Sequence, residues 1–496
     1  MKVAIRVDAS PVIGIGHARR CLALAAGLRE IGAEVRFVTR NLGLPIEDEV
    51  RAAGFAATVL PRPTTPNSPD PIIAHSAWAE VSTERDIAET AAALADWPVE
   101  WMVVDSYAFD ATWHRGIRAV LKSRVAVVDD LADRALDAEM VIDPNFGAGQ
   151  TGKYGAVLQR KARILAGSRF ALLGPVYTAA KPLDRVAEVT SIGVFMGGFD
   201  QLGISAVALS AVRDAGFEGA VEVVASTNDP RLAEIQAAVT ADPNAMLSCD
   251  LPDLAGFFAR HGLQVGAGGG ATWERCCLGA PSVLVMTAEN QRAVIPALAA
   301  AGIVAACEPS RAAIAVEVRA LLADPARRQS MADNARRLVD GQGARRTALA
   351  LAASTLSVRP ASMADAAIMH RWRNDPVTRA VSRQGEPIEL AAHMEWLDRA
   401  LGDPDRQVFV GMIGPVTIGV IRFDRADESS CEVSLYLDPD LHGLGLGEYL
   451  LAAGERTVGR GLCIVAEVLE DNPGSARLFE KSGYQRVASG FFRKLR

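Results

Sequence analysis

Asp438-Pro-Asp-Leu-His-Gly-Leu-Gly-Leu-Gly447 is followed at once by Glu448-Tyr-Leu-Leu-Ala-Ala453. The stretch reads as the end of a strand, a glycine loop and the opening of a helix. Glycine permits the left-handed backbone of a tight turn, and N–H groups at a helix start receive anions. Around it the pattern predicts helices at Met363–Asn374 and Leu390–Ala400, then strands at Val408–Ile413, Thr417–Asp424 and Cys431–Leu437. A strand at Cys463–Val468 and a helix at Pro473–Ser482 follow. This is a small α+β domain of about 140 residues, an ordinary domain size. We place it at 357–496, after a short boundary at Ser354–Val358.

Nothing in the first 350 residues needs that loop, because they alternate short apolar runs with helical patterns of their own. Predicted strands are Val3–Val7, Val35–Thr39, Met102–Asp105, Val125–Val128 and Val141–Asp143, with helical segments at Cys21–Glu30 and Ile87–Ala95. A second series runs Ile192–Met196, Val221–Ala225, Gln264–Gly266, Ser282–Met286 and Ile303–Ala306, closed by helical patterning over 312–347. Alternation of this kind predicts parallel strands with crossover helices. The expected architecture is α/β: two Rossmann-like halves, 1–185 and 186–353, facing across a cleft at the carboxyl ends of their strands. The segment Leu60–Pro71 holds five prolines and is expected to be an exposed loop.

With 496 residues the chain is too long for one core and suggests about three folding units. Half the residues are apolar and 22% are charged, as in soluble enzymes, and the net charge of -7 argues against nucleic-acid or anionic-membrane partners. The seven cysteines show no C-x-x-C pair or zinc spacing and read as reduced packing residues. The chain opens directly on a strand, leaving no room for a signal peptide, and no apolar run reaches membrane-spanning length. A cytoplasmic location is expected.

Two glycine loops mark a first site. The first is Asp8-Ala-Ser-Pro-Val-Ile-Gly-Ile-Gly-His17, with Gly14 and Gly16 in the turn and His17 at a helix start. The positive end of a helix disfavours an imidazolium, and a neutral imidazole can take a proton from water; a solvated histidine after an ordinary turn is the plainer reading. The second is Gly266-Ala-Gly-Gly-Gly-Ala-Thr-Trp-Glu274, where Gly268, Gly269, Gly270 and Thr272 could cradle a diphosphate and Glu274 could accept ribose hydroxyls. Ala288-Glu-Asn-Gln291 places Asn290 and Gln291 near the same rim. On opposing halves the two loops favour a nucleotide-sugar cleft over plain turns.

These motifs, together with Asp340-Gly-Gln-Gly-Ala-Arg345, resemble over about residues 1–350 the UDP-2,4-diacetamido-2,4,6-trideoxy-β-L-altropyranose hydrolases of pseudaminic acid biosynthesis. That family is similar in fold to GT-B glycosyltransferases of the peptidoglycan UDP-GlcNAc transferase type. The resemblance implies that His17 positions or deprotonates the attacking water, with Asp8 a supporting group at the same strand end. One departure is Phe199 in Met196-Gly-Gly-Phe-Asp200, where the family commonly has serine. No metal is expected: UDP is a good leaving group that needs only amides and dipoles.

The C-terminal loop resembles the Gln/Arg-x-x-Gly-x-Gly loop of GNAT acetyltransferases, with His442 in the Gln/Arg position and Gly443, Gly445 and Gly447 behind it. Asn472-Pro-Gly-Ser-Ala-Arg-Leu-Phe-Glu-Lys-Ser-Gly-Tyr484, Arg359-Pro-Ala-Ser-Met-Ala-Asp365 and Trp372-Arg-Asn-Asp-Pro376 are similar to segments of the same family. The resemblance implies acetyl-CoA as co-substrate, with Asn472 contacting it or capping a helix. The family's tyrosine acid is Phe479 here, leaving Tyr484, Tyr436 or water to protonate the thiolate. Glu432 could relay a proton from the acceptor amine, or be only an exposed position on an alternating strand.

Together the resemblances imply a bifunctional enzyme: 4-N-acetylation of a UDP-4-amino-4,6-dideoxy sugar, then hydrolysis of the diacetamido product to free sugar plus UDP. Fusion would raise the local concentration of the intermediate. The expected partners are small molecules (UDP-amino sugar, acetyl-CoA, water) and neighbouring enzymes of the pathway, with no nucleic acid and no membrane. A GT-B glycosyltransferase fused to an acetyltransferase, a legionaminic-type pathway and a sugar-nucleotide-binding regulator remain the alternatives.

Overall fold

A computed structural model describes the chain except residues 66, 148, 149 and 182–187, and except the side chains of 150, 151 and 290. By contact density the chain divides into two units, residues 2–29 with 33–347, and residues 348–496 with short N-terminal pieces.

The larger unit holds two parallel sheets. The first contains β1 (Lys2–Val7), β2 (Glu34–Arg40), β3 (Ala56–Leu60), β4 (Trp101–Asp105), β5 (Arg124–Val128), β6 (Met140–Asp143) and β7 (Arg163–Ala166). Their order is β3-β2-β1-β4-β5-β6-β7. The second contains β8 (Ser191–Phe195), β9 (Ala220–Ala225), β10 (Ala245–Cys249), β11 (Leu263–Ala267), β12 (Ser282–Val285) and β13 (Ala305–Cys307), in the order β10-β9-β8-β11-β12-β13. These are the two Rossmann-like halves of a GT-B-like architecture. All five residues of β4 are buried, as helices on both faces of a parallel sheet require.

In each sheet the strand order reverses at one point, between β1 and β4 in the first and between β8 and β11 in the second. There the connections leave in opposite directions and open a crevice at the carboxyl ends of the strands. Val7 pairs with Asp105 at the first crevice and Phe195 with Gly266 at the second. Both glycine loops start from these positions.

Charge is buried beneath the first crevice. Arg6, Arg40 and Asp86 are at most 1% exposed. Asp86 accepts from Arg6 Nη2 at 2.8 Å, Arg40 Nη2 at 2.7 Å and Trp113 Nε1 at 3.0 Å. Asp8 accepts from Arg6 Nη1 and from the Arg40 backbone N–H at 2.6 Å. Residues 6 and 8 share a face of β1 because strand side chains alternate, and the helix Thr83–Ala93 carries Asp86 to that face. Each buried charge is thus paired and hydrogen-bonded.

A second polar lock sits under the other crevice. Arg275, 1% exposed, donates to the Ala267 carbonyl at 3.1 Å and the Phe195 carbonyl at 2.9 Å, tying β11 to β8. The guanidinium lies where a side chain on residue 266 would be: a Cβ on Gly266 would fall 1.9 Å from Arg275 Nη2. Burial pulls the arginine pKa down to about 10.

The smaller unit contains β14 (Ser357–Pro360), β15 (Arg406–Ile413), β16 (Val416–Arg425), β17 (Ser430–Leu437), β18 (Cys463–Glu467), β19 (Gln485–Ala488) and β20 (Phe491–Leu495), ordered β14-β15-β16-β17-β18-β20-β19. Pairing is antiparallel except between β17 and β18. That parallel pair runs only from Ser430↔Cys463 to Glu432↔Val465, beyond which the two strands part.

Candidate active sites

At the first crevice the loop after β1 is held by its own backbone. Gly14 N donates to the Ser10 carbonyl at 2.7 Å, and Ser10 Oγ accepts from Val12 and Ile13 N–H groups. Gly14 has φ +77°, the left-handed region that a side chain disfavours. The turn delivers His17 to the first turn of the helix Gly16–Glu30.

His17 Nδ1 lies 2.6 Å from Asp105 Oδ1, at the end of β4. Arg20, one helical turn on, forks onto the same carboxylate with Nε and Nη2 both at 2.6 Å. Burial alone would raise the Asp105 pKa, but Arg20 and His17 override it and hold the carboxyl well below the usual range. Ionised Asp105 only accepts, so His17 Nδ1 donates to it, and in the neutral imidazole Nε2 is then the acceptor. This is the orientation a general base needs. Tyr107 packs edge-on against the imidazole at 4.9 Å between ring centroids and donates its hydroxyl to Asp130. Asp8 takes no part in the pair: Arg6 and Arg40 engage it beneath the sheet.

The second crevice carries the 266–270 run. A Cβ on Gly268 would strike Ile295 at 2.0 Å, whereas Gly269 and Gly270 face open space. Glu274 and Thr272 follow on the helix Ala271–Cys277. Glu274 lies near Tyr177, and its Oε2 and Thr272 Oγ1 are buried without hydrogen-bond partners among the described residues. Burial raises the Glu274 pKa, against the opposing pull of Tyr177 and Arg19. Such orphaned acceptors in a polar loop fit a ligand that brings hydroxyl donors. Arg19 reaches from the first half to the Leu251 carbonyl of the second at 3.4 Å.

Gln291 is turned inward: its Oε1 accepts from Thr287 N at 2.8 Å and so holds the rim loop in place. The Asn290 side chain lies outside the described residues. Phe199 is half-buried, and its neighbour Asp200 caps the helix Ile204–Asp214 with bonds from Ile204 N at 2.9 Å and Ser205 N at 2.6 Å.

In the smaller unit, Gly443 and Gly445 have φ +79° and +59° and are exposed, while Leu441, Leu444 and Leu446 are fully buried. Three leucine anchors hold the turn and leave the glycine amides facing outward, above the helix Leu446–Glu455. Gly447 packs against the helix Pro473–Lys481, where a Cβ would come within 3.2 Å of Leu478. His442 opens the loop, half-buried. The loop stands beside the parting of β17 from β18, and its exposed glycines could receive the phosphates of a cofactor such as acetyl-CoA. Gly445→Val should strain the backbone by about 1–2 kcal/mol. It should raise the KM for acetyl-CoA in steady-state assays while leaving UDP release unchanged.

Asn472 is a cap: its Oδ1 accepts from Ser475 N at 3.0 Å. Glu432 is engaged by Arg383 Nη2 at 2.6 Å, a group shared with Glu467. Phe479 is 4% exposed and stacks with Phe492. Tyr484 is not placed to serve as the acid. It is buried beside Glu455, which burial and that carboxylate reflect in a phenol pKa pushed well up. Glu455 ends a helix whose first turn carries the glycine loop, about 13 Å of helix rise away. Tyr436 instead lies on β17 beyond its last pairing with β18, and by strand alternation shares a face with Glu432.

The residues missed in sequence are Asp105, Arg20, Tyr107, Tyr177 and Arg19. Asp105 had a signal: a carboxylate ending an otherwise apolar strand. Among the described residues, no group of three His, Cys, Asp or Glu side chains is placed to hold a metal ion, and no helix is long and apolar enough to cross a membrane.

The chain is similar to a UDP-GlcNAc 2-epimerase from Neisseria meningitidis bound to UDP-GlcNAc, at 13% identity and TM-score 0.47, covering 69% of this chain and 97% of that one. It is also similar to the aminoglycoside acetyltransferase AAC(6')-Ib in complex with coenzyme A, at 17% identity and TM-score 0.26, covering 28% and 95%. The architecture rests on the strand orders, not on these likenesses. Acetyltransferase PseH of Campylobacter jejuni is 27% identical over 120 residues, 24% of this chain and 74% of that protein. Residues 355–485 match the family described as acetyltransferase (GNAT) domain, and the C-terminal part of the chain is a GNAT acetyltransferase domain.

Proposed function

We propose that the chain performs two consecutive reactions on one nucleotide sugar of pseudaminic acid biosynthesis, with 357–496 acting first and the halves 1–185 and 186–353 second. In the first reaction the 4-amino group of a UDP-4-amino-4,6-dideoxy sugar attacks the acetyl carbonyl, the C–S bond breaks and the amide forms. Amides at 443–447 hold the phosphates of acetyl-CoA. Glu432 takes the amine proton through water once Arg383 yields it, and Tyr436 is the phenol on that face. The C. jejuni relative, an acetyltransferase, supports acetyl transfer by this domain.

In the second reaction water attacks the anomeric carbon, the bond to UDP breaks and His17 Nε2 takes the water proton. Asp105 and Arg20 keep the imidazole oriented, and the 266–270 run with Thr272 and Glu274 holds the nucleotide. The observation that carries this reading is the 2.6 Å His17–Asp105 contact at one strand-order reversal, with the partnerless Glu274 oxygen at the other. Use of acetyl-CoA supports a cytoplasmic location.

The test is incubation of the protein with the UDP-4-amino sugar, with and without acetyl-CoA, and identification of products by NMR. Free diacetamido sugar and UDP should form only with acetyl-CoA. UDP release that requires a sugar acceptor would replace hydrolysis with glycosyl transfer, and acetylation without UDP release would confine the activity to the C-terminal domain.

A further inference from the structure

The proline-rich connection between β3 and the helix Thr83–Ala93 is a built wall of the first crevice. Ser76–Ala79 forms a short 3-10 turn within it, and Ala79 and Val81 are each 7% exposed in the core beneath. Polar ties fix the rest: Asn67 N to the Glu80 carbonyl at 2.9 Å, Ser76 Oγ to the Asp70 carbonyl at 2.8 Å, and an Arg62–Glu80 ion pair at 3.3 Å. A connection of this length commonly carries function.

What the wall presents is aromatic. The Trp78 ring lies 6.0 Å from His17 at 86° and 5.6 Å from Tyr107 at 37°. His75 wedges behind, 4.6 Å from Trp78 and 5.5 Å from Tyr107. Trp78 remains part-exposed although the group packs closely. The group therefore leaves indole surface beside the His17 imidazole. Aromatic surface gives little to hydroxyl-rich edges, but it gains by covering methyl and C–H groups.

We propose that Trp78, held at its angle by His75, is the contact for the methyl-bearing edge of the sugar and makes the site prefer N-acetylated over unacetylated UDP-sugars. The inference rests on the nucleotide-sugar reading and deepens it: Trp78 touches substrate, and His75 is a positioning residue.

The full-length protein should be titrated by calorimetry with UDP, UDP-glucose and UDP-N-acetylglucosamine. The wild type should bind UDP-N-acetylglucosamine more tightly than UDP-glucose. Trp78→Leu, which keeps apolar bulk without an aromatic face, should lose roughly tenfold in affinity for the acetylated ligand and leave UDP unchanged. Trp78→Phe should keep most of the preference, His75→Ala should weaken it, and His75→Phe should retain it. The inference is overturned if folded Trp78→Leu retains the wild-type preference, if it loses UDP in step with the sugars, or if the wild type shows no preference. Failure of the wild type to bind any of the three would instead remove the nucleotide-sugar reading.

Discussion

His17→Leu should lower UDP release from the UDP-sugar by roughly 10²–10⁴-fold, the range a positioned general base contributes, and leave acetyl transfer unchanged. The reason is local. Water is a poor nucleophile without a group to take its proton, and Nε2 is the acceptor left after Nδ1 is committed to Asp105 at 2.6 Å. Asp105→Asn is the sharper experiment, because an amide can present its N–H to Nδ1 and turn the imidazole into the wrong tautomer. A loss approaching that of His17→Leu, with UDP affinity retained, is the expected outcome. Each variant should be assayed for UDP release and for acetyl transfer in the same preparation. Wild-type UDP release by His17→Leu would eliminate this histidine as the base.

The second large effect is on stability. Asp86→Ala should destabilise the first half by about 3–5 kcal/mol, because it leaves two guanidinium groups buried without their shared anion. Thermal unfolding of the variant should show an early transition or an insoluble protein. A change within 1 kcal/mol of wild type would mean that water or Asp8 can take over the pairing. The same carboxyl sets an acid limit. Burial would raise its pKa, but Arg6 and Arg40 bring it down to about 2. A depressed carboxylate contributes stability that is fully present above its unfolded value near 4 and is lost as pH falls towards 2. Here that contribution is about 2 kcal/mol. Denaturant titrations of the wild type from pH 5 to pH 2 should show the decline, and Asp86→Asn should flatten it.

Much of this architecture is legible in the sequence, for a physical reason. Strands buried on both faces are short continuous apolar runs, and both series of them stand out between helical patterns. Most strands that escape notice are edge elements, β3, β7, β10, β14 and β19; β20, which also escapes, pairs on both sides with β18 and β19. Ala245–Cys249 is half-exposed, and Gln485–Ala488 is exposed throughout, so neither shows a sustained apolar signal. At the first site the glycine turn announces His17, but its partner is 88 residues away and no spacing rule connects them. Asp8 draws attention by proximity in sequence, yet strand alternation turns it to the face of Arg6. Tyr484 misleads in the same way, since a phenol close to the family's acid position in sequence packs against the far end of the neighbouring helix. Trp78 is hidden because prolines signal a loop and say nothing about which rings the loop carries.

The Arg275 lock also constrains how this chain can change. Gly266 has no room for a side chain while the guanidinium lies 1.9 Å from where its Cβ would be and the Phe195 carbonyl 2.4 Å from it. Replacing the glycine first collides with the arginine; replacing the arginine first leaves the Phe195 and Ala267 carbonyls without their shared donor. Either single step passes through a weakened protein, whereas the joint replacement can be milder than their sum. The two positions are therefore coupled in this fold, and the cost of changing one depends on the residue at the other.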